Sequence, residues 1–450
     1  MGVLQSAQTL PRMDGYHGIW YYNQPSADEY AFKYSGGLGT YCAKHIPMAY
    51  YAPEVGKTFF CYGGTVPGEQ RLLEMVSYYD HRTGTLPQPV VLLDKGTEDA
   101  HDNPVLMLDS DGYVWVFASS HGTARPSYIF QSEQPYEIGA FRTIAETNFS
   151  YPQPWFCKGH GFCFLHTRYI DGRRFLHWMN SEDGLSWTRP QPLARVARGH
   201  YQVSWARGRR VGTAFNMHPD PGGLNCRTNL YYLETDDRGN TWRNAQGEPV
   251  RTPLEDAENP ALVRDYAAEG QLVYLKDLNY DADGNPVVLY ILSSGYESGP
   301  RNGPRRWMTA RWTGEQWDIR GTIQSDSNYD TGCLHVEQGG LWRIIGPTEA
   351  GPQRYNPGGE MAVWLSSDQG RTWTRERQIT HGSAHNHTYA RRPVGAHPGF
   401  YAFWADGHAR QPSESRLYFC DRPGQSVWRL PTAMGGPAQE PEPVFPGRQA

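Results

Sequence analysis

Ser366-Ser367-Asp368-Gln369-Gly370-Arg371-Thr372-Trp373 is a full Asp-box. In such a box the carboxylate caps a turn through backbone N–H groups, Gly takes positive φ, and Trp packs between neighbouring sheets. Thr235-x-Asp237-x-Gly239-x-Thr241-Trp242 repeats the spacing with Thr for Ser, and Ser181-Glu182-Asp183-Gly184-Leu185-Ser186-Trp187 is a version one residue shorter. These residues mark structure, not chemistry.

Working outward from the boxes, seven segments share a polar lead-in, an apolar strand and a Gly or polar turn. They run from Gly37 through Lys44-His45-Ile46-Pro47 to Tyr62, His101 to Phe117, Tyr151 to His166, and Gly199 to Phe215. The last three run from Glu258-Asn259-Pro260 to Lys276, Asn328 to Ile345, and Asn386 to Trp404. Their starts lie roughly 50 to 70 residues apart, which suits one four-stranded blade each. The expected fold is therefore all-β, a seven-bladed β-propeller with Asp-box (BNR) repeats. Residues 1–436 are expected to form its single domain. Residues 15–41 are expected to complete or plug the ring, with short helical turns near Glu69 to Met75. The Pro-, Glu- and Gln-rich tail 437–450 reads as disordered.

Composition agrees with many short strands and tight turns: 49 Gly, 34 Pro, 15 Trp and 29 Tyr in 450 residues. A net charge of −5 gives no reason to expect nucleic acid or a membrane surface, so an acidic ligand would need a local cationic pocket. The seven cysteines are irregularly spaced and read as buried thiols, neither a disulfide framework nor a metal site. No run is long enough to span a bilayer, and the first residues lack the apolar core of a secretory signal. The expected location is intracellular, or secreted with the signal removed.

In a propeller the innermost strand of each blade starts near the axis, so the lead-ins meet in one funnel. It would gather His45, His101, Asn103, Tyr151, Gln153, His200, Tyr201, Asn259, Tyr329 and His387, with His121 arriving from the far end of the strand pair that starts at His101. A polar funnel of His and Tyr is suited to holding sugars and moving protons.

The chain from about Gly15 to Pro431 resembles the BNR repeat-containing family that includes the seven-bladed propeller polysaccharide lyases, such as the ulvan lyases. The resemblance is carried by Tyr34-Ser35-Gly36-Gly37-Leu38-Gly39-Thr40-Tyr41, the His101/His121 pair and Gly199-His200-Tyr201-Gln202. Arg227-Thr228-Asn229-Leu230-Tyr231-Tyr232, Asn356-Pro357-Gly358-Gly359-Glu360 and the run Asn386 to Pro393 add to it. It implies β-elimination on a uronate-containing polysaccharide or oligosaccharide, with His and Tyr as base and acid and basic residues neutralising the carboxylate. His101, His121 and Tyr201 match the catalytic positions, and which His is the base stays open. Lys276 is the candidate neutraliser. His218 is the one basic candidate after the Tyr201 strand, where Phe215-Asn216-Met217-His218 replaces the expected pattern. Asn103, His200, His218, Asn259, Tyr329 and His387 are expected to bind substrate.

Some family members hold zinc near the fifth blade. Val287-Val288-Leu289-Tyr290 offers no such ligands, so no zinc is expected, and no catalytic metal or cofactor. Structural calcium, seen in other members, would find carboxylates at Asp281 and Asp283. The expected partner is the acidic glycan, bound by a monomer. Two alternatives are a sialidase-like glycoside hydrolase and a non-catalytic sugar-binding propeller. Lys44-His45-Ile46-Pro47, with His where a sialidase needs a carboxylate-binding Arg, weighs against the first.

Overall fold

The box turns close as their spacing requires. In the computed structural model, which describes residues 10–445, Asp368 Oδ1 accepts the Thr372 N–H at 2.9 Å, Ser366 Oγ accepts the Gly370 N–H at 2.9 Å, and Gly370 has φ +82°. Each box joins the third strand of a sheet to its fourth, and it faces a neighbouring sheet. Trp187 lies edge-on to Phe117 with ring centroids 5.9 Å apart, and a Cβ on Gly239 would fall 2.5 Å from the Trp178 ring.

Seven antiparallel sheets radiate from an axis, making a seven-bladed β-propeller. Their innermost strands are Ala49–Ala52, Pro104–Leu108, Ser150–Cys157, Gln202–Arg207, Leu272–Tyr280, Cys333–Val336 and Asn386–Arg391. Strands sandwiched between blades need apolar side chains on both faces, so they read as continuous apolar runs. Val114–Ala118 (Val-Trp-Val-Phe-Ala) is buried at every position. The described residues contain no α-helix, only the 3-10 turns Ala100–Asp102, Gly223–Cys226 and Pro300–Asn302. The expected helical turn near Glu69 to Met75 is instead the start of the strand Leu73–Asp80.

One expected blade start is wrong. Glu258-Asn259-Pro260 belongs to the outer edge of the fourth blade, where Leu262–Arg264 pairs with Thr228–Thr235. Asn259 caps that turn by accepting the Ala261 N–H at 2.9 Å, and the fifth blade opens later, at Leu272. An Asn-Pro turn before an apolar run looks the same at an edge strand and at an inner one.

The N-terminal segment both seams and roofs the ring. Gly18 bridges to Gly64 of the first blade and to Ser415 of the seventh. The hairpin Trp20–Pro25 with Phe32–Gly37 then crosses the funnel mouth. The tail expected to be disordered is paired through residue 444: Ala438–Gln439 with Leu86–Pro87, and Glu442–Val444 with Val427–Arg429. Its composition cannot build a core, but open edges of the first and seventh blades supply backbone partners. Residues 446–450 lie outside the described residues. Six cysteines are buried thiols; Cys226, in a turn at the cleft rim, is half-buried.

Candidate active site

The lead-ins converge on one cleft at the funnel mouth. Six blades contribute a tyrosine to it (Tyr41, Tyr151, Tyr201, Tyr274, Tyr329 and Tyr389), and the second blade contributes His101. Two of these rings depend on unusual backbone. Tyr151 and Tyr389 have φ +54° and +50°, each at a break in strand register. A bulky residue in the left-handed region costs about 1–3 kcal/mol and persists where the surroundings impose it, often at functional sites. Both are also β-bulges, which re-aim side chains, and both rings line the cleft.

His101 and His121 stack at 3.9 Å between centroids, both bonded to Asp99: His101 Nδ1 to Oδ1 at 2.5 Å and His121 Nδ1 to Oδ2 at 2.7 Å. Burial would raise the Asp99 pKa, but the charge of His101 and the hydrogen bonds from both rings outweigh it and hold the carboxyl well below its usual range. An ionised carboxylate only accepts, so both imidazoles carry their proton on Nδ1 and present Nε2 as a base. His101 Nε2 is taken by Tyr41 Oη at 2.8 Å and Tyr34 Oη at 2.9 Å. Among the described residues no group bonds Nε2 of His121, whose ring faces the cleft and is 25% exposed. The His121 backbone is pinned by Asp102, which accepts its N–H at 2.6 Å and pairs with Arg125 at 2.7 Å.

Five cationic side chains line the cleft: Lys33, Lys44, Arg174, Arg227 and Lys276. Among the described residues no Asp or Glu does. The Arg227 guanidinium sits 5.0 Å from the Tyr201 ring and 4.5 Å from Tyr274, and its Nη2 donates to Tyr329 Oη at 3.4 Å. Lys44 Nζ lies 5.2 Å from the Tyr201 ring centroid. Burial lowers Lys33 to about 7, helped by Arg227 and Arg174, and lowers Lys44 to about 7, helped by Arg227 and Arg391. Burial and the nearby Lys44 hold Lys276 well below the usual lysine range, and its Nζ donates to Asn328 O at 2.7 Å.

His101, His121, Tyr151, Tyr201, Lys276 and Tyr329 thus meet at the cleft, and seven other expected residues do not line it. His45 is fully buried, and Gln153 donates to the carbonyls of Lys44 and Gln202 at 3.1 and 2.9 Å. Asn103 donates to the carbonyls of Leu38 and Tyr41, both at 2.8 Å, tying down the lead-in of the first blade. His200 accepts the Val196 N–H at 3.0 Å and donates to Asn216 O at 2.8 Å, a fully paired core histidine. His218 is buried behind Tyr201, edge-on at 4.8 Å, so it backs that ring and does not reach the ligand space. Asn259 caps its edge turn. His387 is buried in the seventh blade between Trp404 Nε1 at 2.9 Å and Ser383 Oγ at 3.0 Å.

His218 is the one basic candidate expected after the Tyr201 strand; the basic residue of that blade that lines the cleft is Arg227, directly before the strand Thr228–Thr235. Tyr34, Tyr41 and Arg227 sit inside the sequence runs quoted above, yet no residue pattern marks which member of a run reaches the axis. Asp281, considered for calcium, is bonded to Arg311 Nε at 2.7 Å and accepts the N–H groups of Asp283 and Asn285, so a guanidinium stands where a cation would bind.

The sequence model of a family described as BNR repeat-containing family member matches residues 73–324. An ulvan lyase of Nonlabens ulvanivorans is 26% identical over 254 residues, covering 49% of this chain and 53% of the relative. An ulvan lyase of family PL25 from Pseudoalteromonas sp. (strain PLSV) is 21% identical over 289 residues, covering 54% and 58%. The chain thus spans a little over half the length of the curated relatives it matches. A solved PL25 ulvan lyase superposes with a TM-score of 0.70 at 15% identity, covering 91% of this chain and 96% of that one. The polysaccharide lyase Uly1 superposes at 0.62 with 12% identity, covering 92% and 100%. These two likenesses concern the fold.

Proposed function

The chain belongs to the BNR repeat-containing family, and on that premise we propose that it is a polysaccharide lyase cleaving a uronate-containing glycan by β-elimination. One observation carries the reading: five basic side chains, two of them arginines, and no carboxylate among the described residues line the cleft of a chain whose net charge is −5. A cleft so lined suits an anionic ligand. Hydrolysis by a carboxylate pair requires two Asp or Glu flanking the scissile bond, and none lines this cleft among the described residues.

β-Elimination asks for three things, and this cleft has a group for each. The C5 proton, α to the carboxylate, becomes removable only when the carboxylate charge is offset and the enolate-like intermediate is stabilised. Arg227 is the fitting neutraliser: always charged, planar and able to grip a carboxylate with two N–H groups. Lys276, the neutraliser expected from sequence, is held by Asn328 O and loses its charge readily. A base must then take the C5 proton, and Nε2 of His121 is the free imidazole nitrogen. Finally, the Tyr201 hydroxyl protonates the departing glycosidic oxygen as the C4–O bond breaks and C4=C5 forms. No water is consumed. A complex of the PL25 structure with -[GlcA(1-4)Rha3S]- bound supports a glucuronate-bearing partner.

Incubation with ulvan, alginate, polygalacturonate and hyaluronan tests the reading. At least one should yield an unsaturated, ultraviolet-absorbing product, and Tyr201→Phe should lose turnover while keeping binding. Depolymerisation without that absorbance, or a fully active Tyr201→Phe variant, would overturn it.

A further inference from the structure

The cleft is closed on one side. The hairpin Trp20–Pro25 with Phe32–Gly37 starts against the seventh blade, where Thr388 Oγ1 donates to Gly37 O at 2.6 Å and Trp20 Nε1 to His408 O at 2.8 Å. A Cβ on Gly37 would fall 1.7 Å from Asp406 O, so glycine permits this seating. The hairpin then crosses the funnel mouth. Asn356 Nδ2 of the sixth blade donates to Tyr30 O at 2.9 Å, and Ser298 Oγ of the fifth donates to Phe32 O at 3.1 Å. At the fourth blade Lys33 Nζ bonds both Gln24 Oε1, at 3.1 Å, and Asn225 Oδ1 in the turn Gly223–Cys226. Lys33, Gln24 and Leu224 line the space beneath this bridge.

On the side of the second and third blades the hairpin meets His101 through the Tyr34 hydroxyl at 2.9 Å, and among the described residues no hydrogen bond ties it to the third blade. The His121 and Arg125 side chains are 25% and 27% exposed there. An internal sugar of a polymer can occupy a site only if the chain can leave it in both directions. Here one direction meets the bridge.

We propose that the Lys33–Asn225 bridge restricts this protein to the ends of acidic glycans or to short oligosaccharides. The terminal segment enters from the second- and third-blade side, and short unsaturated products are released from the start. This rests on the lyase reading above.

The test follows viscosity, product absorbance and product size together, on whichever of ulvan, alginate, polygalacturonate or hyaluronan is degraded. Viscosity should fall only in step with absorbance, with short products from the first time points. Asn225→Ala, which leaves the Lys33 charge in place, and Lys33→Ala should each open the bridge. Losing one charge-assisted hydrogen bond is worth about tenfold in the open population, so viscosity loss per unit of product should rise about tenfold. Viscosity collapsing ahead of absorbance in the unmodified protein would overturn the chain-end proposal and leave the lyase reading intact. Unchanged variants would overturn the role of the bridge. No product from any of the four polymers would overturn the lyase reading, and this proposal with it.

Discussion

His101 and His121 lie face to face, 17° from parallel, with one carboxylate bonded to the Nδ1 of each. Stacked imidazoles repel when both are charged, and burial and the neighbouring His121 lower the His101 pKa. Asp99 therefore does two jobs: it fixes both tautomers and offsets the proton that either ring takes up. An amide in its place can accept from one ring but must donate to the other, forcing that ring to carry its proton on Nε2.

Asp99→Asn should accordingly lower kcat by about 10²–10⁴, the range that general acid–base catalysis supplies. KM should change little, because Asp99 does not line the cleft. Initial rates of unsaturated product, with circular dichroism to check folding, measure this. A variant within twofold of the parent would argue that neither imidazole acts as the base.

Arg227 is held by three tyrosine rings and by Leu224 O at 3.0 Å, so its position does not depend on a ligand. Arg227→Met should cost about 10²–10³ in kcat/KM, as when a preorganised oxyanion stabiliser is lost. Arg227→Lys should recover only part, since a point charge lacks the planar two-point grip. Full recovery by Lys would mean that charge alone matters there.

The architecture was legible because its signals are local. An Asp-box fixes a turn by contacts within eight residues, and an apolar run marks a strand buried on both sides. The cleft was half legible. His101 and Tyr201 occupy positions where a blade starts, and His121 follows the return strand Val114–Ala118 that brings the chain back to the axis. Arg227 and Lys33 reach the same cleft from a later strand and from the roof hairpin, placements set only by the closed ring. Asn103, His200 and His387 occupy the expected positions but are turned onto backbone or indole partners, because a buried polar side chain takes the nearest satisfying group.

Lys33 and Lys44 give the cleft a pH-dependent charge. Burial lowers both to about 7, so below that pH both are ammonium ions and above it both lose their proton. KM for an acidic glycan should therefore rise between pH 6.5 and 8.5. Each lost charge weakens binding by about 1 kcal/mol, roughly fivefold in KM. Lys44→Met should raise KM at the acidic end and flatten the profile. A KM independent of pH would show that these amines stay charged or stay away from the ligand.

His200 and His387 predict how the fold responds to acid. Both are buried, and each accepts a hydrogen bond on one ring nitrogen, from Val196 N–H and Trp404 Nε1–H, so protonation would break a bond as well as bury a charge. Burial holds His200 at about 4; burial, with His385 nearby, holds His387 at about 3. In the unfolded chain both titrate near 6.5, so as pH falls the unfolded state binds protons first. Stability from these groups is complete above about 6.5 and is lost down to about 4 and about 3, at about 1.4 kcal/mol per pH unit each. Between pH 7 and 5 the pair should cost about 4 kcal/mol, read as a lower urea midpoint. His387→Gln, whatever its effect at pH 7, should make the pH dependence of that midpoint shallower by the share of one histidine. Parallel pH profiles for the two proteins would mean that His387 titrates alike folded and unfolded, and that the Trp404 bond does not hold it neutral.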